Sequence, residues 1–228
     1  EQGLYLDSCS GITVKYNMFN DTALLIVGSS KDNYRTHTIT DNLVNGKSLY
    51  YYVDEVGLTV PGDGGEYILA NCNNTVIENL TFSGLPLVFE IAYSNFTMKN
   101  TVFAEGIYAI YADSLYDGSY IENITVDVFA YGIYAKNAPM TVNLSRFELC
   151  DYGIYAEHTD GGLKIANNTF TLCAEYGVVL DTTTNINVEN NVFESPALLI
   201  VGSSKDNYRT HTITNNLVDN KTLYYYCL

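Results

Sequence analysis

Tryptophan is missing from this 228-residue sequence, proline occurs four times, and Lys and Arg together number 11 against 26 Asp and Glu. The shortage of basic residues gives a formal charge of -15, which repels a phosphate backbone or an anionic membrane surface, so nucleic acid is excluded as a partner. Charged residues of both signs reach only 16%, too few for a coiled coil, while 47% apolar content is too much for a disordered chain. Long hydrophobic runs are lacking as well. The longest, Ala197 to Val201, is strand-sized and far short of the roughly 18 residues of a membrane span, so membrane insertion is not expected. Five cysteines are too sparse for a disulfide scaffold, and the chain is long enough to bury a core without one. It opens at Glu1-Gln2 with neither a basic n-region nor an apolar h-region, as expected of a processed secreted protein or of a piece of a longer one.

What the sequence holds instead is tyrosine, 21 copies, and repetition. Residues Ala23 to Tyr52 return as Ala197 to Tyr226, 174 residues on, with four differences in 30 places. The match extends upstream, where Gly3-Leu4-Tyr5-Leu6-Asp7 corresponds to Gly177-Val178-Val179-Leu180-Asp181. The chain therefore carries one long unit and the start of another. Inside the unit, a phrase ending in Asn, a spacer and an apolar residue marks Phe19, Val44, Phe82, Phe103, Val126, Phe147, Phe170, Phe193 and Val218. Five residues before these marks stand Val14, Ile39, Ile77, Met98, Ile121, Val142, Ile165, Val188 and Ile213, which should form one buried column; seven before, a second column includes His37 and His211. Alternation with period two, returning mostly every 21 to 25 residues, is the pattern of a parallel β-helix of about nine coils. Gly and Asn punctuation and the richness in β-branched and aromatic residues oppose a helical reading. The 38-residue step from Val44 to Phe82 predicts one inserted loop over about residues 50–65, and residues 1–228 read as a single domain.

The stretches Asp41-Asn42-Leu43-Val44-Asn45-Gly46-Lys47, Gly57-Leu58-Thr59-Val60-Pro61 and Ile68-Leu69-Ala70-Asn71-Cys72, with the phrases GIYAKN and GIYAEH after Tyr131 and Tyr152, resemble the NosD-type parallel β-helix repeat family. The resemblance covers nearly the whole chain and implies an all-β, right-handed parallel β-helix. It implies two kinds of role: repeat module of archaeal cell-surface and sheath proteins, or periplasmic copper maturation.

Several positions carry chemistry. Asn20, Asn73, Asn79, Asn95, Asn123, Asn143, Asn167 and Asn220 satisfy the N-glycosylation pattern, while the Asn residues repeated two and three places before the marks suit turns in which stacked amides bond along the axis. Lys136, Glu157 and Asp181 take one place on three successive coils. Glu157 above Asp181 sets two carboxylates a rung apart, an arrangement that either invites calcium or leaves two solvated side chains turned apart. Cys150 and Cys173, each three residues past a mark, sit on neighbouring coils at a spacing compatible with a disulfide. Cys227, where the first copy has Val53, is an odd thiol able to lock an intermolecular junction; Cys9 and Cys72 are too far apart to pair and read as core fillers. Lys31, Tyr34 and Arg35, with their copies Lys205, Tyr208 and Arg209, concentrate charge and an aromatic ring, as a patch for a sugar or a neighbouring subunit would.

His37, His158 and His211 lack metal-ligand spacing, the three methionines are scattered, and no cofactor is required, calcium being the one candidate. Asp54, Glu55 and Asp63 are the carboxylates from which a glycosidase pair would be drawn, but with only three arginines and no catalytic motif the chain is not expected to be an enzyme. The reading that follows is an extracellular structural repeat protein of a cell-surface layer, sheath or filament. It would assemble end to end with itself through the open rungs at its two ends, with glycans as further partners. Carbohydrate binding or processing, with Tyr134 and Tyr155 stacking on sugar rings, is the alternative, and a NosD-like copper role the third.

Overall fold

The computed structural model describes residues 3–194 and 196–226. The chain is an all-β right-handed solenoid of about ten turns, interrupted by two four-residue helices. Most of its strands are short because many coil corners are residues with positive φ: Asn79, Asn100, Asn123, Asn167 and Asn190 all lie between 50° and 57°. Asparagine bears that conformation with less strain than most residues, since its side chain bonds locally. Here the amides also bond to one another from coil to coil, Asn123 Nδ2 donating to Asn100 Oδ1 at 2.8 Å and Asn100 Nδ2 to Asn79 Oδ1 at 3.2 Å. One place along, a buried ladder runs from Asn168 through Asn191 to Asn216, each Nδ2 donating to the next Oδ1 at 3.1 and 3.0 Å.

The marks read from the sequence are in register. Phe82, Phe103, Val126, Phe147, Phe170 and Phe193 are consecutive partners, as are Ile77, Met98, Ile121, Val142, Ile165, Val188 and Ile213. None of them exceeds 5% exposure. The phenylalanine column explains the glycine of the GIY phrase. A Cβ on Gly132 would come within 2.7 Å of the Phe147 ring, and one on Gly153 within 2.6 Å of Phe170, so only glycine lets the strand pass the stacked rings.

The first two coils depart from expectation. Strand β1 (Leu4–Asp7) pairs with β2 (Leu24–Val27), which leads into the short helix α1 (Asp32–Arg35), and Val14 pairs with Ile39; these form two-stranded sheets separate from the body of the solenoid. Val14 and Ile39 are buried, but in their own small core rather than at the foot of the long column. The reason is a reversal. Strand β3 (Leu43–Val44) runs antiparallel to β4 (Lys47–Val53) about Asn45-Gly46, whose φ values of 47° and 78° suit a primed hairpin turn. Strand β4 then starts the body by pairing in parallel with β5 (Glu66–Ala70), Leu49 opposite Glu66. Residues 50–65 are therefore not wholly a loop: 50–53 belong to β4, and 60–65 carry no strand. They complete a coil of their own, tied to the next by Val56 opposite Asn73 and Thr59 opposite Val76.

From β5 one sheet climbs without a break through β6 (Leu87–Ala92), β7 (Val102–Asp113), β8 (Thr125–Lys136), β9 (Tyr152–Glu157), β10 (Tyr176–Asp181) and β11 (Leu198–Val201). Past β11 come the helix α2 (Asp206–Arg209) and a second hairpin, β12 (Leu217–Val218) antiparallel to β13 (Lys221–Thr222). The repeat pattern predicts two open rungs at the ends of the rod. On one sheet at each end the hairpins β3–β4 and β12–β13 turn the chain back, whereas among the described residues β11 and the strand Thr212–Thr214 have no strand on their outer edges.

The arm formed by residues 3–46 lies side-on against the outer face of the body sheet. The Leu24 N–H donates to Glu66 Oε2 at 3.2 Å and the Ile26 N–H to both oxygens of Glu90 at 3.1 and 3.3 Å. Glu90 stands one rung beyond Glu66 and two residues further along, opposite Ile68, so β2 runs obliquely over the rungs.

Candidate functional site

The outer face of the body sheet carries three columns. Tyr108, Tyr131 and Tyr152 stack with ring centroids 5.1 Å apart at each step; Tyr111, Tyr134 and Tyr155 stack at 5.1 and 5.5 Å. The two ladders meet edge to face, as between Tyr131 and Tyr134 at 86°. Beside them Asp113, Lys136, Glu157 and Asp181 are consecutive partners. Two of these tyrosines reach diagonally to the acid on the next coil: the Tyr134 hydroxyl donates to Glu157, and the Tyr155 hydroxyl to Asp181 at 2.9 Å. Burial, reinforced by those carboxylates, pushes both phenols well above their usual range, so they remain donors.

Glu157 and Asp181 are thus neighbours as the sequence predicts, but they do not build a calcium cage. The second oxygen of Glu157 faces His158 Nε2 at 3.2 Å and that of Asp181 accepts from the Thr182 hydroxyl at 2.8 Å. Among the described residues no group of three or more His, Cys, Asp or Glu is placed to hold a metal ion. Cys150 and Cys173 are stacked and buried but not joined by a disulfide. Residues in register one rung apart point the same way about 4.8 Å from each other, whereas a disulfide needs Cβ atoms at about 3.5–4.5 Å. Burial pushes the Cys150 thiol up to about 12, which keeps it protonated and unreactive. Cys227 lies outside the described residues.

Of the glycosylation candidates, Asn20 and Asn220 are exposed, as are Asn79, Asn123 and Asn167 on the amide ladder; Asn73, Asn95 and Asn143 are half-buried. The nitrogens of Asn123 and Asn167 already donate along the ladder, the latter to Asn143 at 2.8 Å, so a glycan there would cost a rung-to-rung bond. His37 and His211 lie inside, each accepting a backbone N–H and bonding a carbonyl through the other nitrogen. Asp54 pairs with Arg35 at 3.3 Å, and Asp63 accepts from Tyr50 at 3.0 Å.

The duplicated patch is not one surface. Lys31 and Arg35 are half-buried and Tyr34 is fully buried, its hydroxyl donating to Asp113 at 2.7 Å; Lys205 and Arg209 are exposed and Tyr208 is 47% exposed. Where the arm meets the body, a cavity of about 330 Å³ is lined by Asp7, Ser29, Asp113, Ser114, Lys136 and Asn137. The site that sequence reasoning missed is the floor beneath the arm. Glu66 and Glu90 are fully buried, desolvation raises both carboxyls well above their usual range, and Glu66 adds to the rise at Glu90. A signal was present, since each is the lone acid in an otherwise apolar strand, EYILA and LVFEIA.

This stack of rungs with asparagine corners and inward phenylalanines is a parallel β-solenoid. The chain matches the family described as right handed beta helix region over residues 64–226, and it belongs to that family. No curated protein matches it.

Proposed function

We propose that this chain is a non-enzymatic structural module, one that builds an extracellular layer, sheath or filament by contact with further copies of itself. The observation that carries this reading is where the polar groups go. Tyrosine hydroxyls bond to carboxylates one coil away and asparagine amides bond to one another, so the outer columns are spent on holding rungs together. Such a surface suits a stiff rod. Electron microscopy of the native material together with light scattering over a wide concentration range tests it; a strict monomer at millimolar protein with no ordered arrays ends the reading.

A second reading, carbohydrate binding, draws on the half-exposed rings of Tyr131, Tyr134, Tyr152 and Tyr155 beside the polar cavity at Asp113 and Lys136. A glycan array tests it, and a Tyr155→Ala variant should lose any signal found.

A further inference from the structure

The two copies of the repeated segment fold alike. The Gly28 N–H donates to the Tyr34 hydroxyl at 3.1 Å, and the Gly202 N–H to the Tyr208 hydroxyl at the same distance; the Tyr51 hydroxyl bonds the carbonyl of Tyr34 and the Tyr225 hydroxyl that of Tyr208. Their surroundings differ. In the first copy, β2 and α1 are pressed onto the outer sheet face: Leu24 and Ile26 are fully buried, Leu25 packs with Leu87 and Tyr111, and Tyr34 bonds Asp113. In the second copy, Leu198, Leu199 and Ile200 are only partly covered, Val201 is 40% exposed, and the Tyr208 hydroxyl turns to its own Gly202 carbonyl at 2.9 Å. Strand β11 pairs with β10 on one edge, and among the described residues no strand pairs with its other edge.

The first copy shows what that edge fits. Its partner is a sheet face with two buried carboxyls on successive rungs, aimed at the N–H groups of alternate residues, an apolar floor of Leu87 and Tyr111, and an aspartate for the tyrosine hydroxyl. We propose that residues 196–226 are a dock for a second copy of this chain. The face bound is the one that presents Glu66, Glu90, Tyr111 and Asp113, held obliquely as residues 3–46 hold their own. In the incoming molecule that face is covered by its own arm, which must first swing away about the Asn45-Gly46 turn. One interface then replaces another of the same composition, and the tether favours the internal one at low concentration. The contact is heterologous, so copies add side-on and obliquely, as a chain or a ring according to the rotation between them, rather than as a coaxial rod. This deepens the self-assembly reading by naming its surface.

The test weakens the internal contact in the full-length chain. Ile26→Asp places a charge in a fully buried position and frees the sheet face while leaving the dock intact. By size-exclusion chromatography with light scattering, wild type should be monomeric at micromolar concentration and Ile26→Asp should form dimers and longer chains. The double variant Ile26→Asp/Ile200→Asp should be monomeric alone, yet bind wild type one to one. Association of the double variant with itself as strong as that of the single variant overturns the dock while leaving self-assembly standing. If no protein associates at any concentration, self-assembly fails as well. Should circular dichroism show Ile26→Asp unfolded, wild type and Ile200→Asp are refolded at high protein concentration, where intermolecular docking competes. More oligomer from wild type supports the dock, and equal amounts overturn it.

Discussion

Residues 23–52 and 197–226 differ at four positions, yet Tyr34 is fully buried and Tyr208 is 47% exposed. Everything local is shared: the short helix, the glycine to tyrosine bond, both histidine bonds and the reversing hairpin. Those features need only a few neighbouring residues, and they form twice. Burial is decided by what lies opposite, and what lies opposite the first copy comes from other coils, Glu66, Glu90, Tyr111 and Asp113. The segment carries its own conformation, and the body sheet supplies its partner.

One substitution in each copy separates the two segments most widely. Ile26→Ala empties a fully buried site in the arm and should cost roughly 2–5 kcal/mol. Ile200→Ala, half-buried at an open edge, should cost about 1 kcal/mol or less. Urea unfolding of the two variants measures both, and equal losses would mean the arm is not held as described. A smaller contrast lies in the hydroxyls. Tyr34→Phe leaves Oδ2 of the buried Asp113 without a donor, while Oδ1 still accepts from Ser114, and should cost about 1.5–3 kcal/mol, whereas Tyr208→Phe gives up a bond to a partly exposed carbonyl for about 0.5–1 kcal/mol.

Alkali should separate the copies further. The carboxyls of Glu66 and Glu90 are raised in the folded state, so the stability they lend the arm is fully present below the ordinary glutamate value of 4.5 and is lost as pH rises through the folded values. Hydrogen exchange of the Leu24 and Ile26 amides should therefore quicken with pH more steeply than that of Leu198 and Ile200, which serve as the reference within the same molecule. Glu90→Gln keeps an acceptor and removes the titration, so it should flatten the Ile26 response; an unchanged slope counts against the carboxyl.

Much of this architecture is legible in the amino-acid order alone. The columns at Phe103, Phe147 and Phe170 and at Ile121, Val142 and Ile165 follow from spacing, because a solenoid turns sequence period directly into contact. The first two coils are not legible in this way, because the same spacing at Val14 and Ile39 holds whether a coil continues the rod or lies across it. Only Asn45-Gly46 between two strands announces the reversal, and a hairpin dipeptide inside a parallel repeat is easily read as one more corner. Spacing does place Glu157 and Asp181 on adjacent rungs, as they are found. Their partners escape it because a diagonal bond to Tyr134 or Tyr155 depends on side-chain direction, which spacing does not encode.

The smallest effect concerns a place where the copies look alike. His211 accepts the Ile186 N–H at 3.2 Å through Nδ1, which leaves Nε2 to donate to the Asn207 carbonyl at 2.8 Å. Burial lowers its folded value below the ordinary 6.5, so the stability it contributes is present above 6.5 and is lost as pH falls below it, when the unfolded chain takes up the proton more readily. Protonation would also put a donor where Ile186 needs an acceptor. The second copy should therefore loosen on mild acidification, read as falling protection of the Ile186 amide between about pH 7.5 and pH 5.5, on either side of the ordinary histidine value. His211→Gln removes the titrating ring, and its protection should be flat over the same interval even if lower throughout. If the Gln variant loses protection as steeply as wild type, the acid response belongs to another group and the lining of the second copy by His211 is only structural.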